Sequence, residues 1–281
     1  MHDTVRPMTG TGVFTAATSV EQVAAVKGDG TRTAFSASIN DGWDIGGNAN
    51  GGYLMAIAGR AMVAAVGRPP LTLTAHYLRP APAGPCTIDV ELVRSGRRLA
   101  TARASLRIGG KPTLELLGTF GEQQPDDGPT YEREAPVDMT PYDQCPIMPS
   151  ATEAAGPALM DRLALRIDPV DAGFRNGTVT GDPTVRGWFA LAADEPIDAI
   201  ALLLAADAFP PPIFNSGMPV AWVPTIELTV HIRGTPAPGP IRCAFRSRFI
   251  HDGLVDEEGE MWDSTGKLVA QSRQLSLMPR G

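Results

Sequence analysis

The 281-residue sequence lacks the motifs of several enzyme classes. Its three cysteines, Cys86, Cys145 and Cys243, form no CxxC pair, which argues against a zinc or redox motif. There is no GxSxG nucleophile elbow, no cysteine lies in a nucleophile motif, and none of the glycine motifs that nucleotide-binding enzymes carry between a strand and a helix occurs. We therefore expect a site that uses no metal, no cofactor and no covalent nucleophile.

The sequence is also short of long apolar runs and of positive charge. The longest apolar run inside a predicted helix covers residues 199–206, which is too short to span a bilayer. The first residues contain no apolar stretch of a secretion signal and the cysteine count is odd, so we expect a reducing, cytoplasmic location. With 24 basic and 31 acidic residues the net charge is −7, so no basic field favours nucleic acid.

The sequence contains an internal repeat. Residues 72–85, TLTAHYLRPAPAGP, align without a gap with residues 227–240, ELTVHIRGTPAPGP. Because His76 aligns with His231, the offset between the copies is 155 residues. That spacing is longer than the repeats of solenoids and about the size of one domain. The sequence therefore predicts a duplicated module, with two copies fused in one chain.

Each copy has the same predicted order, an apolar helix followed by antiparallel strands. The predicted helices cover residues 53–66 and 197–209, are apolar around nearly their whole circumference, and are followed by prolines. The predicted strands cover residues 35–39, 71–78, 87–94, 99–108 and 113–120 in the first copy, and 186–191, 225–232, 241–250, 254–263 and 268–277 in the second. A long sheet curled around a buried helix is the hotdog fold, so we predict an α+β double hotdog.

The boundary between the copies is predicted from composition. Residues 121–158 hold many prolines, acids and polar residues, as in GEQQPDDGPTYEREAP, which is typical of a linker. We therefore predict an N-terminal hotdog over residues 1–120, a linker over 121–158 and a C-terminal hotdog over 159–281.

One acidic residue lies in an unfavourable place. Asp207 is part of LLLAADAF, where an ionised carboxylate loses hydration and its pKa rises. It also lies near the end of a predicted helix, where a negative charge is disfavoured by about 0.3–1 kcal/mol. A buried acid in such a place is a functional candidate, and the alternative is a solvent-facing Asp at a fraying helix end.

Polar and small residues precede the first predicted helix. Asn50, Gly51 and Gly52 could bring substrate against backbone N–H groups, as an oxyanion-binding or pantetheine-contacting loop, and a helix start favours negative charge. A simple cap with tight packing is the equal alternative. His76 and His231 occupy equivalent repeat positions, and we expect them to be packing residues of their strands rather than catalytic groups.

The ordered set of motifs resembles one known family, the type II, or TesB-like, double-hotdog acyl-CoA thioesterases. The first half carries GGYLMAIAGRAM and HYLRP, and the second carries LLLAADAFPP, WVPTIELTVHIR and GEMWDSTGKLVAQSRQ. The resemblance covers residues 35–120 and 186–278. It implies hydrolysis of acyl-CoA thioesters to free fatty acid and coenzyme A by an activated water, in a homo-oligomer such as a dimer of double hotdogs.

The resemblance also implies which residues act. Catalysis in that family is assigned to an Asp on the second central helix, a Thr in the next strand and a Gln in the last strand. The matching residues here are Asp207, Thr225 and Gln274, all in the predicted C-terminal hotdog. After Thr225 the chain has Glu-Leu-Thr where the family's type member has Asp-His-Ser. The alternative function is a hotdog protein that binds acyl-CoA or acyl-carrier protein without cleaving it.

Overall fold

A computed structural model describes residues 12–25, 31–123, 131–151 and 156–278. Its α-helices are α1 (Val13–Ala17), α2 (Gly51–Val66) and α3 (Ala201–Ala205). Its strands are β1 (Glu21–Ala25), β2 (Arg32–Ile39), β3 (Asp44–Ile45), β4 (Asn48–Ala49), β5 (Pro70–Tyr77), β6 (Gly84–Ser95), β7 (Ala100–Ile108), β8 (Lys111–Phe120), β9 (Arg166–Ile167), β10 (Thr184–Phe189), β11 (Thr225–Ile232), β12 (Ile241–Arg246), β13 (Ile250–His251), β14 (Leu254–Trp262) and β15 (Leu268–Leu277). Short 3₁₀ helices cover Ala158–Arg162, Ala172–Arg175, Ala192–Asp194 and Pro212–Asn215.

All but two of these strands form one antiparallel sheet. Its order is β1-β2-β6-β7-β8-β5-β11-β15-β14-β12-β10-β9, with β13 added beside β14, while β3 and β4 pair separately. The strand order is symmetric about the β5–β11 pair. On one side β5 is followed by β8, β7 and β6, and on the other side β11 is followed by β15, β14 and β12. The predicted double hotdog is confirmed, and its two halves share one continuous sheet.

The repeated segments form the two strands at the middle of that sheet. Thr74 on β5 lies opposite Thr229 on β11, and their Oγ1 atoms are 2.8 Å apart. These two threonines occupy the same position in the repeat, so an approximate two-fold axis passes between them. The repeat that stands out in the sequence is therefore the seam along which the halves join.

The helix α2 is the buried helix predicted in the first half. The Asn50 side chain accepts a hydrogen bond from the Tyr53 N–H at 2.9 Å, which caps the helix start. Gly67, with φ 70°, adopts the left-handed conformation that ends it. Ten of its residues are buried, in line with its apolar circumference.

The second helix is much shorter than the predicted span of 197–209. Asp198 starts it by accepting hydrogen bonds from the Ile200 and Ala201 N–H groups, at 3.0 and 2.8 Å. Residues 210–212 are prolines, which have no N–H to donate to the carbonyls of residues 206–208. The helix ends at Ala205, where the Asp207 N–H donates to the Leu204 carbonyl at 3.0 Å in a tighter turn, so the prediction was wrong about its length.

The two helices pack against each other in opposite directions. The start of α2 meets the end of α3, since a β-carbon on Gly52 would lie 2.6 Å from the Leu203 carbonyl oxygen. Further along α2, the Arg60 Nη1 atom lies 2.8 Å from the Asp198 Oδ2 atom at the start of α3. Buried side chains from both halves form one continuous hydrophobic core around this helix pair.

The repeat histidines and the predicted linker differ in how they contact the rest of the chain. His76 and His231 are exposed on the outer face of the sheet, so the expectation that they pack in the interior was wrong. Within the predicted linker, residues 124–130 and 152–155 lie outside the described residues. Thr140 accepts a hydrogen bond from the Trp188 indole N–H at 2.9 Å, and Met148 donates one to Leu165 at 2.7 Å, so this part contacts the second half. The division at residues 121 and 159 stays a prediction.

Candidate active site

Asp207 lies just after α3, against the start of α2. Its Oδ2 atom accepts hydrogen bonds from the Asn50 side-chain amide and the Gly52 N–H, both at 2.9 Å. Asn50 also donates to the Asp207 main-chain carbonyl at 2.7 Å, the carbonyl that the prolines leave without a helical partner. Asn50 and Gly52, predicted to bind substrate, thus hold the predicted catalytic acid in place. Their direct contact with substrate stays a prediction.

The two glycines at the start of α2 are required by this close approach. A β-carbon on Gly51 would lie 2.9 Å from the Asp207 Oδ2 atom, and one on Gly52 would clash with the Leu203 carbonyl oxygen. Any other residue at position 52 would push the two helices apart. The glycines therefore serve to bring backbone N–H groups to the carboxylate of Asp207, which the sequence could not distinguish from an approach to substrate.

The surroundings of Asp207 set its charge. Burial raises its pKa from the ordinary 3.8 to about 6, although the N–H groups of Gly52 and Gly51 and the Asn50 amide oppose the rise. The α2 start also favours a negative charge there. Above pH 6 the carboxylate is ionised, yet it still binds a proton far more readily than an ordinary Asp. A carboxylate with a pKa near the working pH is suited to general-base catalysis.

Thr225 and Gln274 lie together on neighbouring strands. The Gln274 amide nitrogen donates to the Thr225 Oγ1 atom at 2.8 Å and to the Ser276 Oγ atom at 3.1 Å. Gln274 is buried, and its side-chain oxygen has no hydrogen-bond partner in the described part of the chain. Because a buried polar atom without a partner is costly, this oxygen is suited to bind water or substrate.

A β-bulge turns Thr225 toward this site. Thr225 pairs with Ser276 and Glu227 pairs with Leu275, so the register of β11 shifts across Ile226. In an unbroken strand Thr225 would share the outer face with Glu227 and His231, since side chains alternate with a period of two. The bulge instead places it on the face of Gln274.

Glu257 is a residue of this region that the sequence analysis missed. It lies directly opposite Gln274 on the neighbouring strand, on the same inward face as the buried Gly259 and Met261. Burial and then the negative charge of Asp207 raise the pKa of Glu257 well above its ordinary value. Glu257 therefore lies opposite Gln274 and within electrostatic range of Asp207.

Tyr77 is the second residue that was missed. It ends β5, on the inward face shared with Leu73 and Ala75. The point where a β-carbon on Gly51 would lie is 3.0 Å from the Tyr77 Cζ atom and 2.9 Å from the Asp207 Oδ2 atom, so ring and carboxylate are neighbours. The Tyr77 hydroxyl is buried and has no hydrogen-bond partner among the described residues.

The predicted site residues thus form two hydrogen-bonded groups, Asp207 with the α2 start and Thr225 with Gln274, with Glu257 and Tyr77 beside them. Two surface depressions of about 430 and 270 Å³ are lined by none of these residues. Within the described ranges no group of three His, Cys, Asp or Glu side chains could hold a metal ion. In that same part of the chain no helix is long and apolar enough to cross a membrane.

Comparison with known proteins gives a consistent result over both halves. The family model described as the acyl-CoA thioesterase N-terminal domain matches residues 39–121, and that of the C-terminal domain matches residues 142–278. Uncharacterised proteins of Mycobacterium tuberculosis and Mycobacterium bovis are 27% identical over 292 aligned positions, which cover 95% of this chain and 98% of theirs.

Solved structures agree with the fold. A candidate thioesterase II from Thermobifida fusca is 30% identical, with a TM-score of 0.86 over 97% of this chain and 100% of its own. A hotdog protein of unknown function from Alicyclobacillus acidocaldarius is 21% identical, with a TM-score of 0.81 over 97% of this chain and all of its own. An acyl-CoA thioesterase II of Mycobacterium marinum is 16% identical, with a TM-score of 0.71 over 95% of this chain and 98% of its own. The last two support the fold alone.

Proposed function

The chain belongs to the TesB-like acyl-CoA thioesterase family, and from that premise we propose that it hydrolyses acyl-CoA thioesters to a free fatty acid and coenzyme A. The observation that carries the proposal is the buried carboxylate of Asp207, whose pKa of about 6 suits a base that activates water. Thr225 and Gln274 are proposed to position that water. Dimerisation of the double hotdog stays a prediction.

The proposed reaction has one nucleophile, which is water. The Thr225 Oγ1 atom accepts from Gln274, so its own proton remains free to hydrogen-bond the water oxygen. The Gln274 side-chain oxygen, which has no partner among the described residues, accepts one proton of the water, and Asp207 takes the other as the water oxygen attacks the thioester carbonyl carbon. General-base help of this kind contributes about 10²–10⁴-fold to a rate.

Collapse of the tetrahedral intermediate completes the reaction. The carbonyl re-forms, the carbon–sulfur bond breaks, and the departing thiolate takes the proton that Asp207 received. The products are one carboxylic acid and one thiol, and Asp207 returns to its ionised form. No residue is acylated, in agreement with the lack of a nucleophile motif in the sequence.

The direct test is release of free thiol from a panel of acyl-CoA esters of different chain length. The full chain should turn over at least one ester steadily, and Asp207→Asn should lower kcat by about 10²–10⁴-fold. The variant keeps the shape of the side chain, so circular dichroism should show an unchanged fold. Binding of acyl-CoA without turnover by the wild-type chain would favour the alternative, a non-catalytic acyl-CoA or acyl-carrier-protein binding protein.

A further inference from the structure

The hydrogen-bond donors around Asp207 are nearly all in use. The Gly51 and Gly52 N–H groups, at the helix start predicted to stabilise an oxyanion, interact with the carboxylate of Asp207. Both protons of the Gln274 amide nitrogen are donated, to Thr225 and to Ser276. A thioester that enters this site therefore needs another donor for its carbonyl oxygen.

The hydroxyl of Tyr77 is a buried donor in the same place without a partner. It is carried by the ring that lies beside Gly51 and Asp207, yet it makes no hydrogen bond within the described ranges. The paired residues of β5 and β11 end at His76 and Glu227. Tyr77 is the next residue of β5, so it lies beside the bulge that turns Thr225 inward. The hydroxyl is thus on the same side of the sheet as Thr225 and close to the proposed base.

The fold itself does not require a hydroxyl at this position. The repeat offset places Ile232 at the position of Tyr77 in the second half, where an apolar side chain fills the same inward place. A buried hydroxyl that bonds to nothing destabilises a protein unless something else binds it. The presence of Tyr77 is therefore better explained by a ligand than by packing.

We propose that Tyr77 is a further catalytic residue that donates a hydrogen bond to the thioester carbonyl oxygen and stabilises the oxyanion. The inference rests on the proposed hydrolysis. As water attacks, the electron pair of the carbonyl double bond moves onto the oxygen that Tyr77 binds, while the water proton moves to Asp207. The negative charge thus passes from the carboxylate to the oxyanion in one step, so the two charges never face each other.

The protonation state of Tyr77 suits this role. Burial raises its pKa well above the ordinary value, and the negative charges of Asp207 and Glu227 raise it further. The phenol therefore keeps its proton well above the pH at which Asp207 ionises. A neutral donor that is fixed before the reaction starts stabilises a developing oxyanion without reorganising.

The test is Tyr77→Phe in the full chain, which removes the hydroxyl and keeps the ring. We expect kcat for thiol release from acyl-CoA to fall by about 10²–10³-fold, as for loss of an oxyanion donor, with a smaller change in KM. Because the lost hydroxyl has no hydrogen-bond partner in the described ranges, the thermal midpoint should stay the same or rise.

A matched control is Tyr53→Phe. The Tyr53 hydroxyl donates to the Ala17 carbonyl at 2.9 Å and accepts from the Asn40 N–H at 3.1 Å, so its loss should lower the thermal midpoint and leave kcat unchanged. Wild-type kcat in Tyr77→Phe would overturn the inference and leave the proposed hydrolysis intact. A loss of midpoint in Tyr77→Phe as large as in Tyr53→Phe would also overturn it, because the hydroxyl would then be structural.

A second measurement changes the substrate instead of the protein. In an acyl-CoA dithioester the carbonyl oxygen is replaced by sulfur, which is a poor hydrogen-bond acceptor. The rate difference between the wild-type chain and Tyr77→Phe should shrink to within a few-fold on this substrate. An undiminished difference would show that Tyr77 acts elsewhere. A wild-type chain that releases no thiol from any ester would overturn the proposed function as well.

Discussion

The two halves of the sheet are built alike and carry different side chains at the same places. The register about the seam makes Pro70 equivalent to Thr225, because the same strand irregularity follows each of them. Gly118, opposite Leu73, corresponds to Gln274, opposite Leu228. Ala102, opposite Gly118, corresponds to Glu257, opposite Gln274.

The first half shows what the fold needs at these positions, and the second shows what has been added. Proline, alanine and glycine are enough to complete the strands and to close the sheet over α2. Threonine, glutamate and glutamine at the equivalent places bring polar groups into a buried region, which is unfavourable for stability unless they serve a purpose. We propose that this difference marks one active site, whose base and water-positioning residues come from the second half.

The first half is nevertheless part of that site. It supplies Asn50, Gly51 and Gly52, which hold Asp207, and Tyr77, which lies beside it. In this proposal each copy contributes different residues to one site. The remaining predictions test this division between the halves.

The largest effect is expected from replacing the polar residue at the bulge of the second half by an apolar one, as Pro70 is at the equivalent position of the first half. Thr225→Val removes the acceptor of the Gln274 amide and the hydroxyl proposed to hold the water. We expect kcat for acyl-CoA hydrolysis to fall by about 10²-fold, because the attacking water is no longer positioned.

The control for this change is Thr229→Val, on the same strand. Thr229 bonds to Thr74 across the seam on the outer face, away from Gln274. Its replacement should lower the unfolding free energy by about 1 kcal/mol and leave kcat within a few-fold of wild type. Equal losses of kcat in the two variants would mean that Thr225 matters to the fold and not to the site.

A smaller effect, on stability, is expected from Glu257→Gln, which removes the charge of this side chain. The equivalent residue of the first half, Ala102, carries no charge. The folded-state pKa of Glu257 is raised, so ionisation favours the unfolded chain. Below the unfolded pKa, near 4.5, wild type and variant should be equally stable. As the pH rises from there toward the folded pKa, the wild type should lose stability relative to the variant.

Urea unfolding of both proteins between pH 4 and pH 9 measures this difference. Glu258→Gln is the matched control, because Glu258 lies on the outer face and pairs with Arg246 and Arg248. It removes ion pairs and should not gain stability as the pH rises. A Glu257→Gln variant that gains nothing above pH 5 would show that the carboxyl is solvated, and would remove it from the site.

Much of the fold follows from the sequence because its patterns are regular. The strands at Thr225–Ile232 and Leu268–Leu277 have the predicted bounds, and the repeat predicted the two halves. The helix predicted at 197–209 was wrong in its length because an apolar run indicates burial but not hydrogen bonding, and the chain leaves the α-helix by a tighter turn at Asp207.

The site was only partly accessible to prediction. Asp207 stands out because its neighbours are apolar, and Thr225 and Gln274 were identified through the family resemblance. Glu257 becomes visible only when the strand order places it opposite Gln274, and Tyr77 only when α2 is placed against the end of β5. The inward turn of Thr225 depends on a bulge that breaks the alternation from which faces are predicted.

The central claim is that the Asp207 carboxylate acts as the base with a pKa near 6, and the pH dependence of kcat/KM for acyl-CoA hydrolysis tests it most directly. We expect kcat/KM to fall tenfold per pH unit below about pH 6, where Asp207 is protonated, and this dependence to be absent from the residual activity of Asp207→Asn. A wild-type profile that stays flat down to pH 4, or an Asp207→Asn variant with the same activity and the same profile, would contradict it.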